Sequence, residues 1–130
     1  MIDDLGGVTA QLVRMSLDAA SLRHMAIASN IANVNSQDYT PVKVNFEEQL
    51  EKLRGALLDR SDDESLSARL AAIQPRIEQN SAAGTSTDYR VSLDMEMVKL
   101  AQNVVHYQSL LKGLANKMAV IKLAVNEGRR

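Results

Sequence analysis

From Met97 onward, steps of three and four residues along the C-terminal part of the chain land only on apolar side chains. They are Met97, Leu100, Val104, Tyr107, Leu111, Leu114, Met118, Ile121 and Val125. Nine consecutive apolar positions make a heptad pattern, and a long α-helix is the structure that keeps such a row on one side. Leu93 extends the row backwards. Val91-Ser92-Leu93-Asp94 supplies a start, with Ser92 or Asp94 as N-cap and Glu96 near the positive end of the helix dipole. Gly128-Arg129-Arg130 supplies a stop. A helix from about Asp94 to Asn126 would be roughly 50 Å long at the usual rise per residue. That length cannot be buried inside a single domain of 130 residues.

The positions flanking the row widen its meaning. With Met97 as a, the e and g positions hold Glu96, Ala101, Asn103, Gln108, Leu110, Ala115, Lys117, Lys122 and Ala124. A two-stranded zipper fills these places with opposed charges that select the partner. Here they are largely small, neutral or apolar, and Val98, Val105, Val120 and Leu123 lie beyond them. A helix apolar over most of its girth touches several neighbours. Gly113 near its middle is unfavourable by about 1 kcal/mol against Ala, which a closely approaching backbone would offset. The bulk composition agrees: apolar residues reach 45% but aromatics only 3%, so helix seams rather than a thick aromatic core are expected.

A second helix is predicted from about Val8 to Asn33. Its seam reads Val8, Leu12, Met15, Ala19, Leu22, Ala26, then Ser29 and Asn33. Large side chains give way to small and polar ones, which permits close approach at the far end and fixes register at some loss of stability. The middle is less regular. Asn45-Phe46-Glu47-Glu48 has the pattern of a capping box, Asn45 as N-cap and Glu48 at N3, opening a short helix through Phe46, Leu50, Leu53 and Leu57. Asp59 to Ser65 reads as a polar loop, and Pro75 interrupts any helix running from Leu66 through Ile73. Ile73 to Glu78 and Tyr89 to Leu93 are expected to pair as a small β-hairpin around Asn80 to Ser86. The expected fold is therefore mainly α, two long terminal heptad helices packing as a coiled-coil or bundle layer. The expected divisions are an N-terminal helix with its Asn-rich corner at 1–35, an irregular middle segment at 36–90 and the C-terminal heptad helix at 91–130. The two ends are expected to form one assembly domain.

Patterns that carry catalysis or cofactor binding are missing. Gly6-Gly7 does not continue into a phosphate loop, and neither GxxxxGK[ST] nor GxGxxG occurs. His24 and His106 stand alone, off the heptad row, and read as surface or interface histidines. Neither comes with a nucleophile or cleft that a general base requires. Asp59 to Leu70 has a superficial likeness to a calcium loop, but Glu64 replaces its Gly and Leu70 its final ligand, so Asp62-Asp63-Glu64 reads as a solvated charge run. The absence of cysteine excludes disulfides, thiol catalysis and thiolate metal sites. A net charge of −1, with no basic patch interleaved with aromatics, argues against nucleic acid. The first residues lack the basic and apolar regions of a cleaved signal peptide, and no apolar stretch is long enough for direct membrane insertion. The expectation is no catalytic residue, no cofactor and no metal: a non-enzyme.

One polar constellation stands apart: Ser29-Asn30-Ile31-Ala32-Asn33-Val34-Asn35, then Tyr39-Thr40-Pro41. Asn30 and Asn33 share a helix face, and Asn accepts left-handed backbone at helix ends. The physical task of such a corner is to end the first helix and aim the chain away from it. The same run, followed by Tyr39, resembles the N-terminal signature of the bacterial flagellar rod and hook protein family. Val91-Ser92-Leu93-Asp94-Met95-Glu96-Met97, continuing through Leu100-Ala101-Gln102-Asn103 and Tyr107-Gln108, is similar to that family's C-terminal signature. The length and spacing look most like the short proximal rod proteins. Where the family usually has a Thr-Pro-Gly-Tyr turn, this chain has Ser36-Gln37-Asp38-Tyr39, losing both Pro and Gly; Asn35 and Asp38 would serve the turn, with Thr40-Pro41 adding rigidity.

The resemblance implies a structural subunit of the flagellar basal-body rod, polymerising through its terminal helices and carrying torque from the membrane ring to the distal rod and hook. It implies export by the flagellar type III apparatus without a cleaved signal, and a place in the rod across the periplasmic space. The implied partners are other copies of the chain, other rod proteins and the proteins of the ring–rod junction. Its assembly interface would comprise Leu12, Met15, Leu22, Asn30, Asn33 and Tyr39 at one end of the chain. At the other it would comprise Met97, Leu100, Val104, Tyr107, Leu111, Leu114, Met118 and Ile121. From a different class, a coiled-coil adaptor or export chaperone forming a small soluble oligomer would account for the same heptads.

Overall fold

The computed structural model describes residues 2–59, 65–80 and 92–128. Two long helices, α1 (Ile2–Ala32) and α4 (Leu93–Glu127), run along one another, and a small cap of shorter elements sits against α1. The cap contains β1 (Val42–Asn45), α2 (Glu47–Leu58), α3 (Leu66–Ala71) and β2 (Arg76–Gln79). A mainly α architecture with long terminal helices was the expected class, and the structure has it.

The 35 residues of α4 begin where the capping argument put them: Ser92 adopts extended backbone and its hydroxyl accepts from the Met95 amide. Asp94 and Glu96 lie in the first turn, on the favourable side of the dipole. The start of α1 is earlier than periodicity suggests, at Ile2 rather than Val8, so Gly6 and Gly7 are helical. Glycine disfavours this by about 1 kcal/mol per residue, but packing decides where helices form. Here Lys117 of α4 donates to the Gly6 carbonyl at 2.8 Å. With Asn103 bonded to the Ala20 carbonyl and Glu96 bonded to Asn30, the contacts run in opposite directions along the two helices. The helices are antiparallel.

A different face of α1 carries the apolar core. Ala19 and Ala26 pack with Val44 and Phe46, and Met15, Leu22, Val42, Leu50 and Ile73 surround them. Most of the seam predicted for the first helix is thus covered by the chain's own middle segment. Small alanines let β1 and the start of α2 come close, and Phe46 fills the space they leave.

Two expectations for the middle segment fail. The capping box does not form: Phe46 occupies the N-cap position, without a side-chain capping bond, while Asn45 is the last residue of β1. Its carboxamide nitrogen reaches Glu78 Oε2 across the sheet instead. Strand pairing takes Asn45 out of reach of the helix, and Gln49 ties down the first turn by donating to the Asn45 and Gln74 carbonyls at 2.7 and 3.0 Å. The predicted hairpin also has a different partner. Arg76–Gln79 pairs antiparallel with β1, in the register Val42↔Gln79, Lys43↔Glu78, Val44↔Ile77 and Asn45↔Arg76. A connection containing two helices separates the strands, which no local turn signal announces. Ser92 and Leu93, assigned to that hairpin, instead cap and open α4, and Tyr89 to Val91 lie outside the described residues, as does most of the predicted polar loop. The predicted break before Pro75 is present: α3 ends at Ala71.

Phe46 is the largest side chain in this core and is 4% exposed. Phe46→Ala should lower unfolding free energy by about 3–5 kcal/mol in urea titrations; a loss below about 1 kcal/mol would mean that the cap is not packed on α1.

Candidate assembly site

The Asn-rich corner is a hydrogen-bonded joint. Asn30, 3% exposed, sits two residues before the end of α1. Its Nδ2 donates to the Val42 carbonyl at 3.0 Å and to Glu96 Oε2 at 3.3 Å. Its Oδ1 accepts from the Val42 amide and from the Tyr39 hydroxyl, both at 2.9 Å. The carboxamide therefore imitates a neighbouring strand, satisfying both backbone groups of Val42 on the edge of β1 that faces away from β2. Because Tyr39 gives its proton to Asn30, the Ser29 hydroxyl 3.1 Å away donates to the Tyr39 oxygen. Asn33 finishes the helix: its Nδ2 donates to the Ser29 carbonyl at 2.8 Å, and its Oδ1 accepts from the Ser36 hydroxyl at 3.2 Å.

The turn that follows holds its shape without glycine. Asp38 has φ of 61°, the only positive φ on a non-glycine residue among those described. It stands at the place where the resembling family carries Gly, and Asp is among the few side chains that tolerate this conformation. Pro41 is buried behind it, and its carbonyl accepts from the Asn80 amide at 2.8 Å, which joins the corner to the end of β2.

On α4, the row facing α1 lies one position back from the predicted seam. Glu96 and Asn103 are buried, and Leu100, Leu110, Leu114 and Lys117 are half-buried. These are the g and d positions of the heptad frame. Leu100 and Leu114 thus serve inside the chain, while Met97, Val104, Leu111, Met118 and Val125 are exposed, Met118 at 60%. Tyr107 and Ile121 are exposed as well, and so are Val98, Val105, Val120 and Leu123. The inward row is chosen by its polar groups. Asn103 reaches the Ala20 carbonyl at 2.8 Å, Lys117 reaches Gly6, and Glu96 is held by Asn30 and by Lys99 at 2.9 Å. Buried polar groups persist only where they find such partners. The three lie seven residues apart or a multiple of seven, a spacing visible in the sequence but outweighed there by the apolar row.

The other residues expected at the interface divide between inside and outside. Met15 and Leu22 pack in the α1 core, Leu12 and Asn33 are half-buried, and Tyr39 is half-buried beside Asn30. Gly113 faces open space: a Cβ built there would meet nothing within 4 Å.

Two clefts flank the α1–α4 contact. One, of about 530 Å³, is walled by Arg23, Lys43, Glu96, Lys99 and His106, and its lining contains no hydroxyl or thiol that could act as a nucleophile. The other, of about 350 Å³, includes His24, Met25, Asn103, Val104 and Tyr107. The two histidines thus line separate clefts. Among the described residues, no group of three or more His, Asp or Glu is placed to hold a metal ion, and no helix is long and apolar enough to cross a membrane.

In this arrangement Glu96, Asn103 and Lys117 turn toward α1 beside Leu100, Leu110 and Leu114, while a second apolar row of α4 stays exposed. No protein-family model matches the chain. The flagellar basal body rod protein FlgB of Bacillus subtilis (strain 168) is 28% identical over 130 residues, spanning 93% of this chain and 95% of that protein. The protein of the same name from Borreliella burgdorferi is 27% identical over 120 residues, spanning 84% of this chain and 89% of that protein. The chain is thus similar, over most of its length, to two proteins named as flagellar basal-body rod proteins. In both cases it is FlgB that it resembles.

Two substitutions test the corner. Asn30→Ala strips partners from Val42, Tyr39 and Glu96 and should destabilise by roughly 2–4 kcal/mol in chemical unfolding, more than any exposed polar residue nearby. Asp38→Gly removes the left-handed penalty and should raise stability by up to about 1 kcal/mol. Destabilisation by Asp38→Gly would show that the turn does not hold this geometry.

Proposed function

We propose that this chain is a structural subunit of the bacterial flagellar basal-body rod, and that it polymerises through its terminal helices. The observation that carries the proposal is the outward apolar face of α4. Met97, Val104, Leu111, Met118 and Val125 repeat at seven-residue steps on a helix roughly 50 Å long, and all are exposed. Exposed apolar surface on this scale marks an interaction site. The two relatives named as rod proteins supply the setting.

In this reading the pair α1–α4 forms the assembly domain, and the middle segment is an outer cap braced against α1. Other copies of the chain and other rod proteins cover α4. The ring–rod junction is met at one end, and export runs through the flagellar apparatus. Torque passes through the chain because the helix pair is locked lengthwise at three points, Gly6–Lys117, Ala20–Asn103 and Asn30–Glu96. The role is structural rather than catalytic.

Leu111 is 43% exposed, so a charge there disturbs neighbours more than the fold. In a strain whose own copy of the gene is deleted, Leu111→Asp should express and be exported but leave cells non-motile and without rods. Cells carrying His24→Ala or His106→Ala should swim. Full motility with Leu111→Asp would sink the reading. A small closed oligomer of fixed stoichiometry in sedimentation would favour a soluble adaptor instead.

A further inference from the structure

Cysteine is absent, so the redox-active sulfur of this chain is confined to six methionines. Met15 packs against the α1 core. Met25, Met95, Met97 and Met118 lie at the surface instead, each between 52% and 60% exposed. A thioether in that setting is open to small oxidants, whereas one packed in a core is shielded by its neighbours. The four differ in position. Met97 and Met118 take the first and fourth places of the outward row of α4, three heptads apart. Met25 borders the smaller cleft beside Val104 of that row. Met95 is as exposed as the others but stands two residues from Met97, on another face of the helix.

We propose that Met97 and Met118 are oxidation sites that switch the outward face of α4 between an assembling and a non-assembling form. The proposal rests on the assembly reading above. The oxidant is a peroxide. One of its oxygens passes to the methionine sulfur, the O–O bond breaks, the sulfur gives up two electrons, and the other oxygen leaves as water. A thiol-dependent reductase reverses the step, removing the oxygen as water while two thiols join as a disulfide. The fold tolerates the added oxygen, because both side chains are exposed and α4 is held to α1 by groups on another face. A neighbour does not tolerate it. Covering the oxidised row would desolvate two strong acceptors within an apolar seam, which opposes burial. The sulfurs are open only while the row is uncovered, so oxidation acts on subunits not yet assembled and spares those already in place.

The experiment has a chemical arm and a genetic one. Hydrogen peroxide is added to the full-length chain, and peptide mass mapping follows the gain of oxygen. Met25, Met95, Met97 and Met118 should each take up one oxygen before Met15 does; Met15 reacting ahead of Met97 and Met118 would overturn the proposal. Glutamine then imitates the sulfoxide, being unbranched, of similar helix propensity and tipped with an acceptor. Leucine keeps the volume and apolarity without the sulfur. In a strain whose own copy is deleted, Met97→Gln with Met118→Gln should abolish motility while the purified chain unfolds at the wild-type urea concentration. Met95→Gln should swim. Met97→Leu with Met118→Leu should swim and keep forming rods in sublethal peroxide that stops new rods on the wild-type chain. That pair decides the matter if the Gln pair does not accumulate, and equal loss of new rods in both strains would overturn the switch. Full motility of the Gln pair, with Leu111→Asp non-motile, would overturn the switch and leave the assembly reading standing. Full motility of both would overturn both.

Discussion

One carboxamide joins the parts of this molecule. Asn30 engages Val42 of β1 through both backbone groups, Tyr39 of the turn through its hydroxyl, and Glu96 of α4 through its carboxylate. The bonds belong to one rigid planar group, so the elements are held in fixed mutual orientation rather than merely attached. The helix end, the turn, the strand edge and the first turn of α4 all converge there. Because Asn30 is buried, each bond stands in place of one to water, and losing any of them leaves its carboxamide short of a partner.

From that joint the two long helices run antiparallel, and the rest of their contact follows the same logic. Carboxamide and ammonium groups of α4 reach backbone carbonyls of α1 at Ala20 and Gly6. A carbonyl already bonded within its helix has a second lone pair to offer, and small residues are what bring it within reach. On a different face of α1, Ala19 and Ala26 admit β1 and Phe46. One helix thus serves two neighbours within the chain, α4 and the cap.

Much of this was legible in the sequence, and the failures have a common cause. The heptad row located α4, Ser92 fixed its start, and the run from Ser29 to Asn33 marked the corner, because each of these signals is local. Which face of α4 turns inward was not legible. Hydrophobic periodicity ranks faces by apolarity, and here the inward face is the more polar one, chosen by partners more than eighty residues away at Ala20 and more than a hundred away at Gly6. Asn45 failed in the same way. Its spacing to Glu48 is that of a capping box, but pairing of β1 with a distant strand commits its backbone before the helix can use its side chain. The turn was legible too: with the family's glycine lost, Asp38 was expected to serve the turn, and it adopts the left-handed backbone that Asp tolerates.

The inversion of polarity along α4 has a consequence for stability. A helix that turns Glu96, Asn103 and Lys117 inward beside Leu100, Leu110 and Leu114, while leaving Met, Val, Leu and Ile exposed, keeps much of its hydrophobic term in water. The contact between α1 and α4 then relies on directional bonds, which specify geometry well but contribute modestly to net stability. Covering the outer row would add the missing burial only when a neighbour is present, so order along α4 and assembly become thermodynamically linked. Under the proposed assembly this division has a physical logic: polar contacts encode the shape of the helix pair, and a neighbour covering the outer row supplies the remaining burial.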